Sequence, residues 1–134
     1  MAYLLDTNIV SLELKNNSKI KQRLKEFQSQ EGSLSISCVT YFEIKRGLFA
    51  VNAIKQLERF DNFCKDYQII FLDDLAILEK ASEIYANLRL RGLPIQTEDI
   101  LIAATAIVKG FILVSNDSDL LRVEGLSLEN WLQE

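Results

Sequence analysis

The run Phe111-Ile112-Leu113-Val114 limits the fold more than any other stretch of the chain. It stops at Ser115-Asn116-Asp117-Ser118-Asp119, a polar turn with two carboxylates. A short unbroken apolar run bounded by turn residues predicts a strand buried on both faces, the kind that parallel sheets use. Tyr3-Leu4-Leu5, followed by Asp6-Thr7-Asn8, repeats the arrangement near the start. In open parallel sheets, ligands bind beyond the carboxyl ends of the strands. Both predicted strands therefore deliver acid and small polar groups to the edge where such folds place their chemistry.

The stretches between them read as helices and further strands. Thr7 to Lys15 predicts a short helix capped by Thr7 or Asn8. Ile20, Leu24 and Phe27 recur at spacings of four and three, one face of a second helix. Its other face is Lys19, Lys21, Gln22, Arg23, Lys25 and Glu26, a solvated surface or a contact for RNA phosphates. Leu34-Ser35-Ile36-Ser37 alternates as a strand does. Thr40-Tyr41-Phe42-Glu43 has the form of a capping box opening a helix to Val51. Ile54 to Cys64 continues a helical stripe, and Ile69-Ile70-Phe71-Leu72 reads as a third strand. A long helix follows Asp73-Asp74 and stops at Gly92-Leu93-Pro94. Thr97 opens an almost wholly apolar, hence buried, helix that runs to Val108. A last strand falls near Leu126-Ser127-Leu128. Strands alternating with helices predict an α/β fold: a parallel sheet with helices on both faces, in one domain spanning residues 1–134.

Composition removes several function classes. The chain has no histidine, which excludes a histidine base, a Ser-His-Asp triad and a histidine-ligated zinc. Its two cysteines, Cys38 and Cys64, lie in apolar or helical surroundings and read as small buried hydrophobes rather than as a disulfide or a zinc site. The longest nearly apolar stretch, Ile100 to Val108, is too short to cross a bilayer. No basic-then-apolar leader is evident, so a cytoplasmic home without membrane attachment is expected. The formal net charge of −4 argues against a broad nucleic-acid surface. It leaves room for an acidic site whose bound cations reverse the sign a substrate meets.

Asp6, Glu43, Asp99 and Asp117 stand out, with Asp119 as a fifth acid. Each has a structural explanation: a helix cap for Asp6, a capping box for Glu43, a first-turn anion for Asp99 and a turn residue for Asp117. Taken together they read differently. Strand ends and the starts of the helices that follow share one edge of a parallel sheet, so Asp6, Glu43 and Asp117 converge there. The helix of Asp99 begins on that same side. Carboxylates held close repel one another or take up protons unless a cation joins them, and hard oxygen donors suit Mg2+ or Mn2+. The chemistry that follows is hydrolysis of a phosphodiester without histidine.

These segments resemble the PIN domain, and most closely the VapC-type toxins of bacterial toxin–antitoxin pairs. The similarity rests on Leu4-Leu5-Asp6-Thr7-Asn8, Thr40 to Gly47, Pro94-Ile95, Asp99 to Ala104, Val114 to Leu120 and Gly125 to Trp131, in that order. It implies a five-stranded parallel sheet and a Mg2+-dependent ribonuclease whose acidic cluster is Asp6, Glu43, Asp99 and Asp117. Asp119 would add a further carboxylate, and Thr7, Asn8 and Ser115 would be polar supports. The resemblance also implies a cognate antitoxin, a homodimer, and transfer or ribosomal RNA as substrate. Ser115 stands where threonine is commoner, and Leu120 where phenylalanine is frequent; neither change removes an acid.

Lys45, Arg46, Arg89 and Arg91 are the basic residues expected nearest this site, as contacts for RNA phosphates. Tyr41 and Phe42 read as core residues, with base stacking as the alternative. Two other functions fit the same residues. One is a catalytically silent RNA- or protein-binding module on the same fold. The other is an aspartyl-phosphate hydrolase with Asp6 as nucleophile, which usually places a second acid where this chain has Asn8.

Overall fold

The computed structural model describes residues 2–28 and 33–133. Five parallel strands form one sheet in the order β3-β2-β1-β4-β5: β1 (Ala2–Leu5), β2 (Ser33–Ser37), β3 (Gln68–Ile70), β4 (Ile112–Val114) and β5 (Leu128–Glu129). Six α-helices cover it: α1 (Thr7–Leu14), α2 (Ser18–Gln28), α3 (Cys38–Ala50), α4 (Ile54–Asp66), α5 (Leu75–Leu90) and α6 (Thr97–Lys109). No helix among the described residues is long and apolar enough to cross a membrane.

The apolar runs at the two central strands explain their place. Leu4, Leu5, Leu113 and Val114 are fully buried, each contributing roughly 1.5–3 kcal/mol of transfer free energy. Side chains of a strand alternate between faces. Tyr3, Leu5 and Val114 therefore join Ile9, Ile20, Ile36 and Phe60 under α1, α2, α3 and α4. Leu4 and Leu113 join Ile77, Leu88, Ile102 and Ala103 under α5 and α6. The two faces have different textures. On the first, Phe27 stacks on Trp131 at 4.8 Å and Tyr3 meets both rings at a tilt, at 4.7 and 5.9 Å, and Ala81, Ala103, Ala104 and Ala106 line the second.

Several boundaries differ from those the sequence predicts. Helix α3 begins at Cys38, with Ser37 as its cap, its hydroxyl accepting from the Val39 N–H at 3.0 Å. Thr40 is thus inside the helix and buried, and the Thr40–Glu43 capping box does not form. Glu43 is free to point elsewhere. Of the residues offered as the cap of α1, Asp6 serves, and Thr7 and Asn8 lie inside the helix. Strand β3 ends at Ile70, leaving Phe71 exposed, and β5 starts at Leu128. A one-turn 3-10 helix, Ser118–Arg122, follows β4 where the sequence shows a turn. The two cysteines are free and half-buried. Phe42 is 57% exposed, not core, with the Arg46 guanidinium over its ring at 5.2 Å.

Strand order reverses between β1 and β4. The chain builds outward from β1 through β2 to β3, then returns to the other side of β1 to lay down β4 and β5. Beyond the carboxyl ends of β1 and β4 the connections diverge and leave a crevice, the place where open α/β sheets bind ligands.

Candidate active site

Asp6 leaves β1 at this crevice and Ser115 leaves β4 beside it. The Asp6 N–H continues the sheet by donating to the Val114 carbonyl at 2.9 Å. The Asp6 side chain is 3% exposed. Two donors hold it: Ser115 Oγ donates to Oδ2 at 2.7 Å, and the Thr7 N–H donates to Oδ1 at 2.8 Å. Burial pushes the Asp6 carboxyl above its usual range. The two donors pull it back, and the charges of Asp117 and Glu43 push it up again.

Glu43 reaches the same place from the second turn of α3. Thr7 Oγ1 lies 2.8 Å from Glu43 Oε1 and 3.1 Å from Thr40 Oγ1. The Arg46 guanidinium, one turn on, approaches Glu43 Oε2 at 3.6 Å. Asp117 caps the 3-10 helix by accepting from the Asp119 N–H at 2.9 Å. Its own N–H donates to Ser115 Oγ at 3.0 Å. Ser115 therefore ties Asp6 and Asp117 into one network. Asp119 is half-exposed and pairs with Arg122 at 3.2 Å.

Asp99 stands in the first turn of α6. Gly110, in the left-handed region at φ 76°, closes that helix so that β4 follows at once. Because β4 runs back toward the crevice, α6 must start there. Asp99 is half-buried and accepts no hydrogen bond among the described residues. Its carboxyl is pushed up to about 7, by burial first, then by the charges of Asp6, Asp117, Glu43 and Glu98. Four acids from four separate segments thus share one electrostatic environment.

They line a cleft of about 500 Å3 together with Thr7, Asn8, Asn116 and Asp119. Gln96, Ser11 and Lys15 complete its polar wall. Asn8 Nδ2 donates to Asn116 Oδ1, and Asn8 Oδ1 is buried without a donor among the described residues.

Of the basic residues expected nearby, Arg46 borders the site from an adjoining hollow of about 220 Å3. Lys45 turns to Asp61 at 2.7 Å and to the rings of Tyr41 and Phe49. Arg89 donates to the Tyr85 hydroxyl. Arg91 donates to Asn87 Oδ1 and the Arg122 carbonyl, with Glu124 at 3.6 Å. None of these three lines the cleft. Sequence reasoning missed Lys15, Gln96 and Asn116. Their positions just after an apolar helix, at the start of α6 and inside an acidic turn were the available signal.

The donor set fits a hard divalent cation. Carboxylate and amide oxygens predominate, and the orphaned Asn8 carbonyl oxygen is one more acceptor among them. Among the described residues no three or more of the acids are drawn close enough together to grip one ion as they stand. Mg2+ does not need such a grip, since it keeps several waters and takes one or two carboxylates directly.

The sequence profile of the PIN domain matches residues 3–126. The chain is 30% identical to Ribonuclease VapC2 of Rickettsia felis and 28% identical to the tRNA(fMet)-specific endonuclease VapC of Shigella flexneri, covering 98% of both chains in each case. Its fold superposes on a chain of the crystal structure of VapBC2 from Rickettsia felis bound to a DNA fragment from their promoter. The TM-score there is 0.90 at 27% identity, covering 98% of this chain and 99% of that one. The chain belongs to the PIN domain family, as a member of VapC type.

Proposed function

We propose that the chain is the ribonuclease toxin of a toxin–antitoxin pair, and that Asp6, Glu43, Asp99 and Asp117 hold a divalent cation, Mg2+ or Mn2+, at its active site. Asp119 and the polar groups Thr7, Asn8 and Ser115 complete the site. The observation that carries this reading is the convergence of four carboxylates from four segments at the strand-order reversal, where burial first and then the neighbouring charges push Asp99 up to about 7. The shared sheet edge explains why caps such as Asp6 and Asp117 lie near one another, but Asp99 caps nothing: it is half-buried beside them and accepts no hydrogen bond among the described residues. The same convergence disfavours a silent binding module, which gains nothing from gathering like charges.

A bound ion supplies Lewis acidity toward a phosphoryl oxygen and acidifies water. The rest falls to this chain's residues. Ser115 and the Thr7 N–H fix the Asp6 carboxylate in one orientation. Thr7 Oγ1 fixes Glu43. With no histidine in the chain, proton exchange rests with carboxylates and water. Asp99 keeps a proton up to about pH 7 without the ion, so cation binding competes with that proton and strengthens as pH rises.

The substrate is RNA, with transfer RNA the first to test, since a relative 28% identical bears the name tRNA(fMet)-specific endonuclease. The partners are a cognate antitoxin, as in the VapBC2 assembly that the fold matches, and a second copy of the chain. The site of action is the cytoplasm.

The test is a bulk tRNA pool incubated with the purified protein in Mg2+, in Mn2+ and in EDTA, beside Asp6→Asn and Asp99→Asn. Cleavage that needs the cation and is lost in both variants supports the reading. Cleavage surviving both substitutions would reduce the carboxylates to helix caps and sink it.

A further inference from the structure

We propose that Lys15 binds the RNA phosphate next to the one that is cleaved, and so sets the register of the strand across the site. The inference rests on the ribonuclease reading above and adds a residue to it. Lys15 is the one cation among the described residues lining the acidic cleft. It also lines the adjoining hollow, which carries Arg46 and Gln56 and shares Thr7, Ser11 and Glu43 with the cleft. Lys15 thus stands at the junction of two continuous depressions, acids on one side and Arg46 on the other. A strand whose scissile phosphate lies over the carboxylates and which continues into the hollow passes this junction.

The backbone fixes where Lys15 can reach. It is the C-cap of α1, the helix that Asp6 caps at its other end. The Lys15 N–H donates to Ser11 and Glu13 carbonyls, and Asn16 follows in the left-handed conformation at φ 64°, with its N–H on Glu13. Helical side chains lean toward the N-terminus, so the four-carbon stem turns back along α1, a helix of about 12 Å at 1.5 Å per residue, toward the carboxylates. Lys21, Lys45, Lys80 and Lys109 are each occupied by a carboxylate. Lys15 is exposed and enters no ion pair among the described residues, although the cleft it borders is lined by Asp6, Glu43, Asp99, Asp117 and Asp119. A compact ammonium left unpaired at the rim of a site is placed for a phosphate that arrives from solution.

The experiment uses the full chain and a bulk tRNA pool. Steady-state cleavage in Mg2+ gives kcat and KM for the wild type, Lys15→Gln, Lys15→Arg and the distant control Lys80→Gln. Filter binding in an inert Asp99→Asn background, from about 50 to about 200 mM salt, gives the salt slope of affinity. Lys15→Gln should raise KM and Kd together by about 3- to 10-fold with kcat within about two-fold. It should flatten the slope by the 0.7 to 0.9, roughly, that one phosphate contact contributes. Lys15→Arg should restore both, and Lys80→Gln should change neither.

An unchanged slope, or a loss confined to kcat, overturns the assignment while the ribonuclease stands. A Lys15→Gln protein that binds Mg2+ more tightly but RNA equally well assigns the lysine to charge balance at the carboxylates and overturns it too. A wild type that neither binds nor cleaves RNA brings down the ribonuclease reading, and this proposal with it.

Discussion

Asp6 and Asp99 are the same residue type in one cleft, and the fold treats them in opposite ways. Asp6 is almost fully buried and accepts two hydrogen bonds at 2.7 and 2.8 Å. Asp99 is half-buried, accepts none, and is pushed up to about 7, by burial first and then by the charges of its neighbours. Hydrogen bonds to a buried carboxylate offset much of its desolvation, whereas an uncompensated carboxylate keeps its proton. The strand-end acid is an anchor whose geometry is set before any ligand arrives. The helix-start acid is the adaptable member, waiting for a positive charge.

The largest effect expected is on cleavage, where this contrast should vanish. If the proposed site is right, Asp6→Asn and Asp99→Asn should each lower kcat by about 1,000-fold or more, since either would remove an oxygen ligand from the reacting centre. Single-turnover assays on a tRNA pool would show it, and a ten-fold gap between the two variants would mean the acids are not equivalent partners in catalysis.

Stability should separate them. Ser115→Ala strips the donor from buried Asp6 Oδ2 and should cost about 1–3 kcal/mol. It should also move the acid limb of the pH–activity profile upward, because Ser115 is what lowers the Asp6 pKa most. An unchanged profile would show that Thr7 alone holds the anchor.

The third effect is on pH dependence in EDTA. A carboxyl raised from its unfolded value near 4 to about 7 binds a proton in the folded chain that the unfolded chain has released. Stability from this group is therefore greatest below about pH 4 and falls as pH rises through 7. Thermal unfolding should show Tm declining over that window in the wild type, with the decline shallower in Asp99→Asn and reversed by adding Mg2+ above pH 7. Equal slopes in the two proteins would remove Asp99 from the account.

The smallest effect is expected from the outlying basic residues. Lys45→Gln and Arg89→Gln should leave kcat/KM within about two-fold, because the first side chain is committed to Asp61 and the second to the Tyr85 hydroxyl. Initial rates on the tRNA pool measure this directly, and a larger drop would extend the RNA path along α3 or α5.

Much of this was legible in the sequence, for reasons particular to each residue. Buried parallel strands announce themselves as unbroken apolar runs, so Leu4-Leu5 and Leu113-Val114 located the crevice and the acids beside it. Glu43 was legible as an acid but not in its orientation. Thr40 and Glu43 satisfy the spacing of a capping box as well as they satisfy a site, and only the Ser37 cap frees the carboxylate. Phe42 falls on a helical stripe that could as well be core, and nothing in its neighbours says that α3 shows that side to solvent. Lys15 was hidden because its role depends on where a helix ends in space, which a list of spacings does not contain. The distances from Lys45, Arg89 and Arg91 to the cleft were obscure for the same reason.

The reversal of strand order has a consequence in time. Asp6 and the Ser115 that orients it are 109 positions apart, and β4 slots beside β1 only after three strands and all six helices have been made. During synthesis, at about 5–20 residues per second, β1 can pair with β2 while its other edge waits. A growing chain therefore carries an acid with no hydroxyl to aim it and no Asp117 to face. The four carboxylates can meet only once β4 and the Ser115–Asp117 turn have been made, so a chain interrupted before them holds Asp6, Glu43 and Asp99 without the segment that orients the first and adds the fourth.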